Sequence, residues 1–254
     1  MIKNKGPRIL TIDIETSPIE AYVWGLYDQN IAVNQINKDW RIISVAWKWL
    51  DQINVFQEDV EKQTEFQLLR KVRRVLDMAD IVVTQNGKKF DIKKINARLA
   101  IKKIRPASTF QQIDTREVAK KHFGFTSNSL EYLSDKLNEK YKKLKHKNFP
   151  GMELWTECLK GNKKAWVAMR EYNIFDVLAT EELYKKLIPF GSPVNFSVYY
   201  EGDQAVCSCG NTKFINNGHY YTAAGKFQRR QCTACRSSIR AKTNLFKGII
   251  RKVS

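Results

Sequence analysis

This 254-residue chain has no long apolar run. That excludes a membrane-spanning helix, which needs about 20 consecutive apolar residues. No signal-peptide core follows the lysine-containing start Met1-Ile2-Lys3-Asn4-Lys5, which leads into a strand instead, so a soluble, cytoplasmic protein with no membrane partner is expected. Internal repeats and low-complexity tracts are also missing, which removes solenoids and tail-like sequences from consideration. Acidic residues are scarce, 26 against 44 Lys and Arg, leaving a net charge of +18. A balance this basic favours a polyanionic partner, because each phosphate met by Lys or Arg releases counterions. Cysteine is rare before the last 50 residues, where Cys158 stands alone on an amphipathic helix as a small buried residue. A disulfide framework is therefore not the organising principle.

What the chain does have is four acidic residues in distinctive settings: Asp13 and Glu15 in ILTIDIETS, Asp91 in QNGKKFD, and Asp176 in YNIFDVLAT. Side chains alternate along a strand, so Asp13 and Glu15, two apart after Ile9, Leu10 and Ile12, point the same way. Thr16-Ser17-Pro18 ends that strand. Two divalent cations about 3.5–4 Å apart need more oxygen ligands than one strand supplies, so further carboxylates must come from elsewhere. Asp91 follows the strand Ile81-Val82-Val83 and opens a helix with apolar positions Ile92, Ile95 and Leu99; a helix N-terminal charge is the plainer account of it. Asp176 lies in a long helical pattern with Trp166, Met169, Tyr172, Ile174, Leu178, Leu183 and Leu187. Tyr172, one turn earlier on the same face, makes either a site pair or an ordinary core hydrogen bond with it.

Together these residues resemble the DEDD, or DnaQ-like, 3'–5' exonuclease superfamily of the RNase H-like fold, in its tyrosine subclass. Asp13-Ile14-Glu15 is similar to the first family motif, Asn86 through Asp91 to the second, and Tyr172 through Asp176 to the third. The resemblance covers residues 8–188 and is nearest to YprB-like and phage-encoded members. Ser129-Leu130-Glu131-Tyr132-Leu133 and Asp114-Thr115 resemble further family segments, although helix capping explains Ser129 and Asp114 adequately. The resemblance implies catalytic Asp13, Glu15, Asp91, Tyr172 and Asp176, with the four acids holding two magnesium or manganese ions, the hard cations that an all-oxygen site selects. Asp13 would bridge both ions, and Glu15 and Asp176 would hold the one nearer the attacking water. Asp91 would hold the other ion or give outer support. Tyr172 would orient the water, since a phenol with a pKa near 10 is a poor base at neutral pH. Asn86 would touch substrate near the 3' end.

The tail is a separate basic unit, with ten Lys or Arg from Asp203 to Ser254 against one acidic residue. It holds Cys207-Ser208-Cys209 and Cys232-Thr233-Ala234-Cys235, two thiolate pairs that read as the ligands of one structural zinc ion. Cys-x-Cys replaces the usual Cys-x-x-Cys in the first pair, and His219 is an alternative ligand. Phe214-Ile215, Tyr220-Tyr221 and Phe227 suit short strands. Lys226, Arg229, Arg230, Arg236, Arg240 and Lys242, interleaved with aromatics, suit phosphate contact with base stacking. The segment Gln228 to Cys235 resembles ribbons appended to some phage exonucleases and transposases. A second basic run, Lys136, Lys140, Lys142, Lys143, Lys145 and Lys147, either borders the substrate cleft or is a solvated loop.

The expected architecture is α/β: an RNase H-like mixed sheet flanked by helices over residues 1–190, a linker over 191–204, and a basic zinc ribbon over 205–254. Pro189, Gly191 and Pro193 mark the boundary. Strands are expected near 8–14, 20–25, 41–49, 53–57 and 80–85, with helices near 61–78, 127–138 and 152–160. The expected function is metal-dependent 3'–5' exonuclease action on single-stranded or frayed nucleic acid, DNA first. An exoribonuclease or structure-selective nuclease is the alternative among enzymes, and a catalytically inactive nucleic-acid-binding adaptor is the alternative of another class. If phage-encoded, the protein would work in the host cytoplasm.

Overall fold

The computed structural model describes residues 6–145, 148–202 and 204–248. The lysine-containing start, Lys147, Asp203 and the final residues of the basic tail lie outside them. Compact units form over Arg8–Tyr184 and over the described C-terminal part from Lys185.

The larger unit is built on five strands, β1 (Ile9–Thr16), β4 (Ile42–Trp49), β5 (Val55–Asp59), β6 (Ile81–Thr84) and β7 (Gln111–Asp114), in the order β5-β4-β1-β6-β7. β4 runs antiparallel to β1 and to β5, while β6 and β7 run parallel to β1. This is the mixed α/β sheet expected from the sequence. β4 is buried along its whole length, and β1 until it reaches Asp13, which suits their near-continuous apolar runs to a sheet covered on both faces. Val45, Leu68, Leu69, Ile95 and Leu99 pack into the main core.

The strand expected over 20–25 is reduced to β2 (Glu20–Ala21), which pairs with β3 (Ile36–Lys38) outside the main sheet. Tyr22 and Trp24, which fall in the expected strand, are exposed. Propensity without a face to bury does not hold a strand.

Helix α1 (Glu65–Asp77) starts later than the expected 61, because Thr64 caps it: the Gln67 N–H donates to Thr64 Oγ1 at 3.3 Å and the Thr64 N–H donates back to Gln67 Oε1 at 3.0 Å. Helix α2 (Asp91–Ile101) buries Ile92, Ile95 and Leu99, the apolar stripe expected. Asn86 in the preceding turn has φ 68°, a left-handed conformation that asparagine tolerates. At Gly87 a Cβ would lie 2.4 Å from the Thr84 side chain, so only glycine permits this close approach. Helices α3 (Thr115–His122) and α4 (Leu130–Leu137) are capped by Asp114 and Ser129. The short α5 (Glu153–Leu159) precedes α6 (Lys163–Leu187). Ile174 and Leu178 of α6 are only partly buried, whereas the polar Asn173, Asp176 and Thr180 are buried. Among the described residues no helix is long and apolar enough to cross a membrane.

The second unit contains a three-stranded antiparallel sheet of β8 (Phe214–Thr222), β9 (Gly225–Cys232) and β10 (Ser238–Asn244), with β9 in the middle.

Candidate metal centre and nucleic-acid interface

β1 sets the position of the first two acids. Its parallel ladder with β6 ends at Thr11, whereas the antiparallel ladder with β4 continues to Glu15 and shifts register after it. Asp13 and Glu15 therefore lie beyond the last rung, where β1 and β6 open at their carboxyl ends. Crevices at that edge of an open α/β sheet are favoured ligand sites. Asp176 arrives from α6, and one oxygen each of Asp13, Glu15 and Asp176 lie within 4.8 Å of one another. Asp91, at the start of α2, is buried beside this group but outside it. Its Oδ1 accepts the Ile14 N–H at 3.1 Å, a donor on the β1 edge that β6 no longer reaches.

Neighbouring side chains orient these carboxylates. The Asn173 amide donates to Asp13 Oδ2 at 2.7 Å, and its carbonyl accepts from Ser44 Oγ at 2.7 Å. The indole of Trp155, on α5, donates to Glu15 Oε2 at 2.9 Å. Tyr172 packs edge-on against Trp155, with ring centroids 5.9 Å apart. Lys143 pairs with Asp176, and its ammonium lies 4.3 Å from the Tyr172 ring centroid.

The electrostatics follow from this crowding. Burial, then Asp91, Asp176 and Glu15, hold Asp13 well above the usual carboxylate range. Burial and Asp176 push Glu15 up to about 8, although the Trp155 hydrogen bond and Lys143 pull the other way. Burial raises Asp91 to about 7 against the lowering effect of the Ile14 N–H. Burial, followed by Asp176, raises the Tyr172 phenol, which keeps it neutral at physiological pH. Burial lowers Lys143, but Asp176 and Tyr172 together, through charge and hydrogen bonding, more than offset it and the ammonium is held above its ordinary range. Three convergent oxygen donors, with Asp13 and Glu15 held above the usual carboxylate range and an ammonium among them, form a site that a hard divalent cation fits.

Asn173, Trp155 and Ser44 were not singled out in the sequence, and Lys143 stood only within the basic run. Asn173 had one available signal: it falls between Tyr172 and Asp176. Trp155 and Ser44 had none, since each meets the acids only through packing of distant elements. Asn86 precedes α2, and its Oδ1 accepts from Arg116 Nη1 at 2.8 Å.

In the second unit, Cys207, Cys209, Cys232 and Cys235 bring their sulfurs within 4.8 Å of one another. The Cys207–Cys235 and Cys209–Cys232 separations are 3.4 and 3.7 Å, too long for disulfides. They are near the roughly 3.8 Å edge of a tetrahedron with 2.3 Å metal–sulfur bonds. Burial acts to raise Cys232, but the Cys235 N–H and the Asn211 amide, 3.1 Å from its sulfur, bring it down to about 6. These four thiols fit one zinc ion. His219 lies on β8 opposite Gln228, outside the group.

The basic residues of this sheet divide between faces. Arg229 and Arg240 are cross-strand partners, and the Arg240 guanidinium lies 4.4 Å from the Phe227 ring centroid and 5.5 Å from that of Tyr220. Lys226 and Arg230 alternate to the opposite face of β9. Arg236 is in the turn after Cys235 with φ 63°, and it is exposed.

No curated protein matches the chain. Among solved structures, the family B DNA polymerase from the hyperthermophilic archaeon Pyrobaculum calidifontis is similar in fold, with a TM-score of 0.52 and 15% identity. The similarity covers 73% of this chain but 25% of the polymerase, so the chain spans about a quarter of that protein's length. The family model described as RNase_H superfamily matches residues 10–188, the segment that carries the five-stranded sheet and all four acids. By its fold and this match, the chain belongs to the RNase H superfamily, whose members are usually nucleases.

Proposed function

We propose that the protein is a metal-dependent 3'–5' exonuclease of the tyrosine DEDD type, acting on single-stranded or frayed nucleic acid. The observation that carries this reading is the convergence of Asp13, Glu15 and Asp176, from a strand and a helix far apart in sequence, at the open edge of the sheet. Two divalent cations held there by Asp13, Glu15, Asp91 and Asp176 would supply Lewis-acid activation of water and of the scissile phosphate. Asn173 occupies Asp13 Oδ2 and so directs the remaining lone pairs of that carboxylate toward the shared site. Trp155 does the same for Glu15. Asp91 fixes the strand edge between them through the Ile14 N–H. Tyr172, kept neutral, orients the attacking water rather than deprotonating it. Lys143 balances Asp176 and is placed to meet the phosphate when cations take over that balance.

The preference for 3' ends rests on the three ordered motifs. DNA is favoured because the similar solved structure is a DNA polymerase. Discrimination against RNA would lie in contacts to the 2' position, which leaves an exoribonuclease as the second reading. Residues 205–254 are proposed to form a zinc ribbon that holds substrate through Arg229, Arg230, Arg236, Arg240 and Lys226, joined by a linker over 191–204 to the nuclease domain over 1–190. The test is a gel time course on 5'-labelled single-stranded DNA and RNA with magnesium or manganese, beside Asp13→Ala and a chelator control. A metal-dependent ladder retreating from the 3' end and abolished in the variant is expected. Binding without shortening of either substrate would leave the adaptor reading instead.

A further inference from the structure

A cavity of about 330 Å³ lies at the carboxyl ends of β6 and β7, lined by side chains from the turn before α2 and from the first turns of α3. Two carboxylates, Asp114 and Glu117, border it, and both are engaged. Asp114 Oδ1 accepts the N–H groups of Asn86, Arg116 and Glu117, and its Oδ2 accepts the Lys88 N–H. Glu117 accepts from the Lys88 ammonium at 2.7 Å.

The donors are in the opposite state. Arg116 Nε is buried with no hydrogen-bond partner. Arg116 Nη1 donates to the Asn86 side chain, and since a guanidinium only donates, the atom facing it must be the amide oxygen. The Asn86 –NH₂ group is thereby left as the donor end. Lys89, Lys120 and Lys121 also line the cavity, and among the described residues neither they nor Arg116 form an ion pair. The carboxylates of this cavity are engaged, whereas Arg116 Nε has no acceptor and, among the described residues, Lys89, Lys120 and Lys121 have no carboxylate partner, which is the signature of an anion receptor.

The location says which anion. β7 is two strands from β1 in the sheet, about 10 Å at the usual strand spacing. The cavity and the carboxylate group open at the same edge. We infer that this cavity is a phosphodiester subsite, in which Arg116, Lys120, Lys121 and the Asn86 amide hold an internal linkage of the strand whose 3' end lies at Asp13. The inference rests on the reading of the chain as acting on a nucleic-acid strand, and it assigns a share of strand binding to the nuclease domain itself.

The test is fluorescence anisotropy of the full chain with a 5'-labelled oligothymidylate, without added divalent cations so that no cleavage occurs, across a salt series. One set of oligonucleotides carries a single uncharged methylphosphonate at successive positions, and a second set compares 5'-phosphate with 5'-hydroxyl ends. The wild type should bind roughly tenfold more weakly when one particular internal linkage is neutralised, the effect of one charge-assisted hydrogen bond. Lys120→Gln/Lys121→Gln, both exposed positions that spare the fold, and Arg116→Gln should each become insensitive at that linkage. Their log K against log salt slopes should be shallower by about 0.7 for each phosphate no longer neutralised. Wild-type sensitivity and slope in both variants would overturn the assignment, as would sensitivity that follows the terminal phosphate and no internal linkage. Cleavage is scored separately with magnesium: absence of all cleavage with the linkage signature intact would remove the nuclease reading and leave the subsite standing.

Discussion

Asp13→Asn should make the cation-free protein more stable at alkaline pH and abolish its stabilisation by magnesium. Asparagine keeps the size of the side chain and an oxygen for the Asn173 amide, which donates at 2.7 Å. It removes one of three carboxylates whose oxygens lie within 4.8 Å of one another. At that separation and an effective dielectric near 20, two full charges repel by about 3.5 kcal/mol. Lys143 neutralises part of the group through Asp176, so a gain of roughly 2 kcal/mol is expected once the acids ionise. For a unit of this size that is about 4–8 °C in melting temperature.

The pH dependence has a definite sign. Glu15 and Asp91 are raised in the folded state, to about 8 and about 7, above their values in the unfolded chain. Folding therefore takes up protons, and the raised acids favour the fold below their unfolded pKa and cost stability as pH rises through 7 and 8. The advantage of the variant should be small near pH 5 and largest near pH 9. Saturating magnesium, at about 100 times its Kd, should raise wild-type stability by about 2.7 kcal/mol and leave the variant nearly unchanged. The assay is thermal melting in metal-stripped buffer at both pH values with a magnesium titration. A variant that melts below wild type at pH 9 without cation, or that gains as much from magnesium, would refute the reasoning.

Tyr172→Phe should lower the single-turnover cleavage rate by about tenfold, the size of one missing water-orienting hydrogen bond, whereas Asp13→Ala should abolish cleavage and largely retain oligonucleotide binding; equal effects in the two would place the phenol in a larger role. Cys209→Ser should reduce zinc bound per chain, measured by elemental analysis of purified protein, and expose the unit to proteolysis, because a module of this size depends on its metal to fold. Leu68→Ala, at a fully buried position of α1, should cost about 2–5 kcal/mol in urea unfolding.

Much of the fold was legible because its signals are local. The apolar run of β1, the stripe of Ile92, Ile95 and Leu99 and the caps Ser129 and Asp114 each work within a few residues. The strand expected near 20–25 shrinks to Glu20–Ala21 because Tyr22 and Trp24 carry strand propensity but have no sheet face to bury against. β7 is four residues long and supported on one side by β6, a pairing with no local signature.

The sequence by itself determined the basic charge, the alternation of strands and helices, the order of the acids and the pairing of the cysteines, because periodicity and spacing are written along the chain, while the mixed sheet followed from the family resemblance. Tertiary structure alone decided that the β1–β6 ladder stops short of Asp13, that Asp91 bonds the strand edge while Asp13, Glu15 and Asp176 converge, and that Asn173, Trp155 and Lys143 surround them. Those elements meet from positions as many as 160 residues apart. Their geometry is set by how buried faces pack, and no local pattern in the chain encodes it.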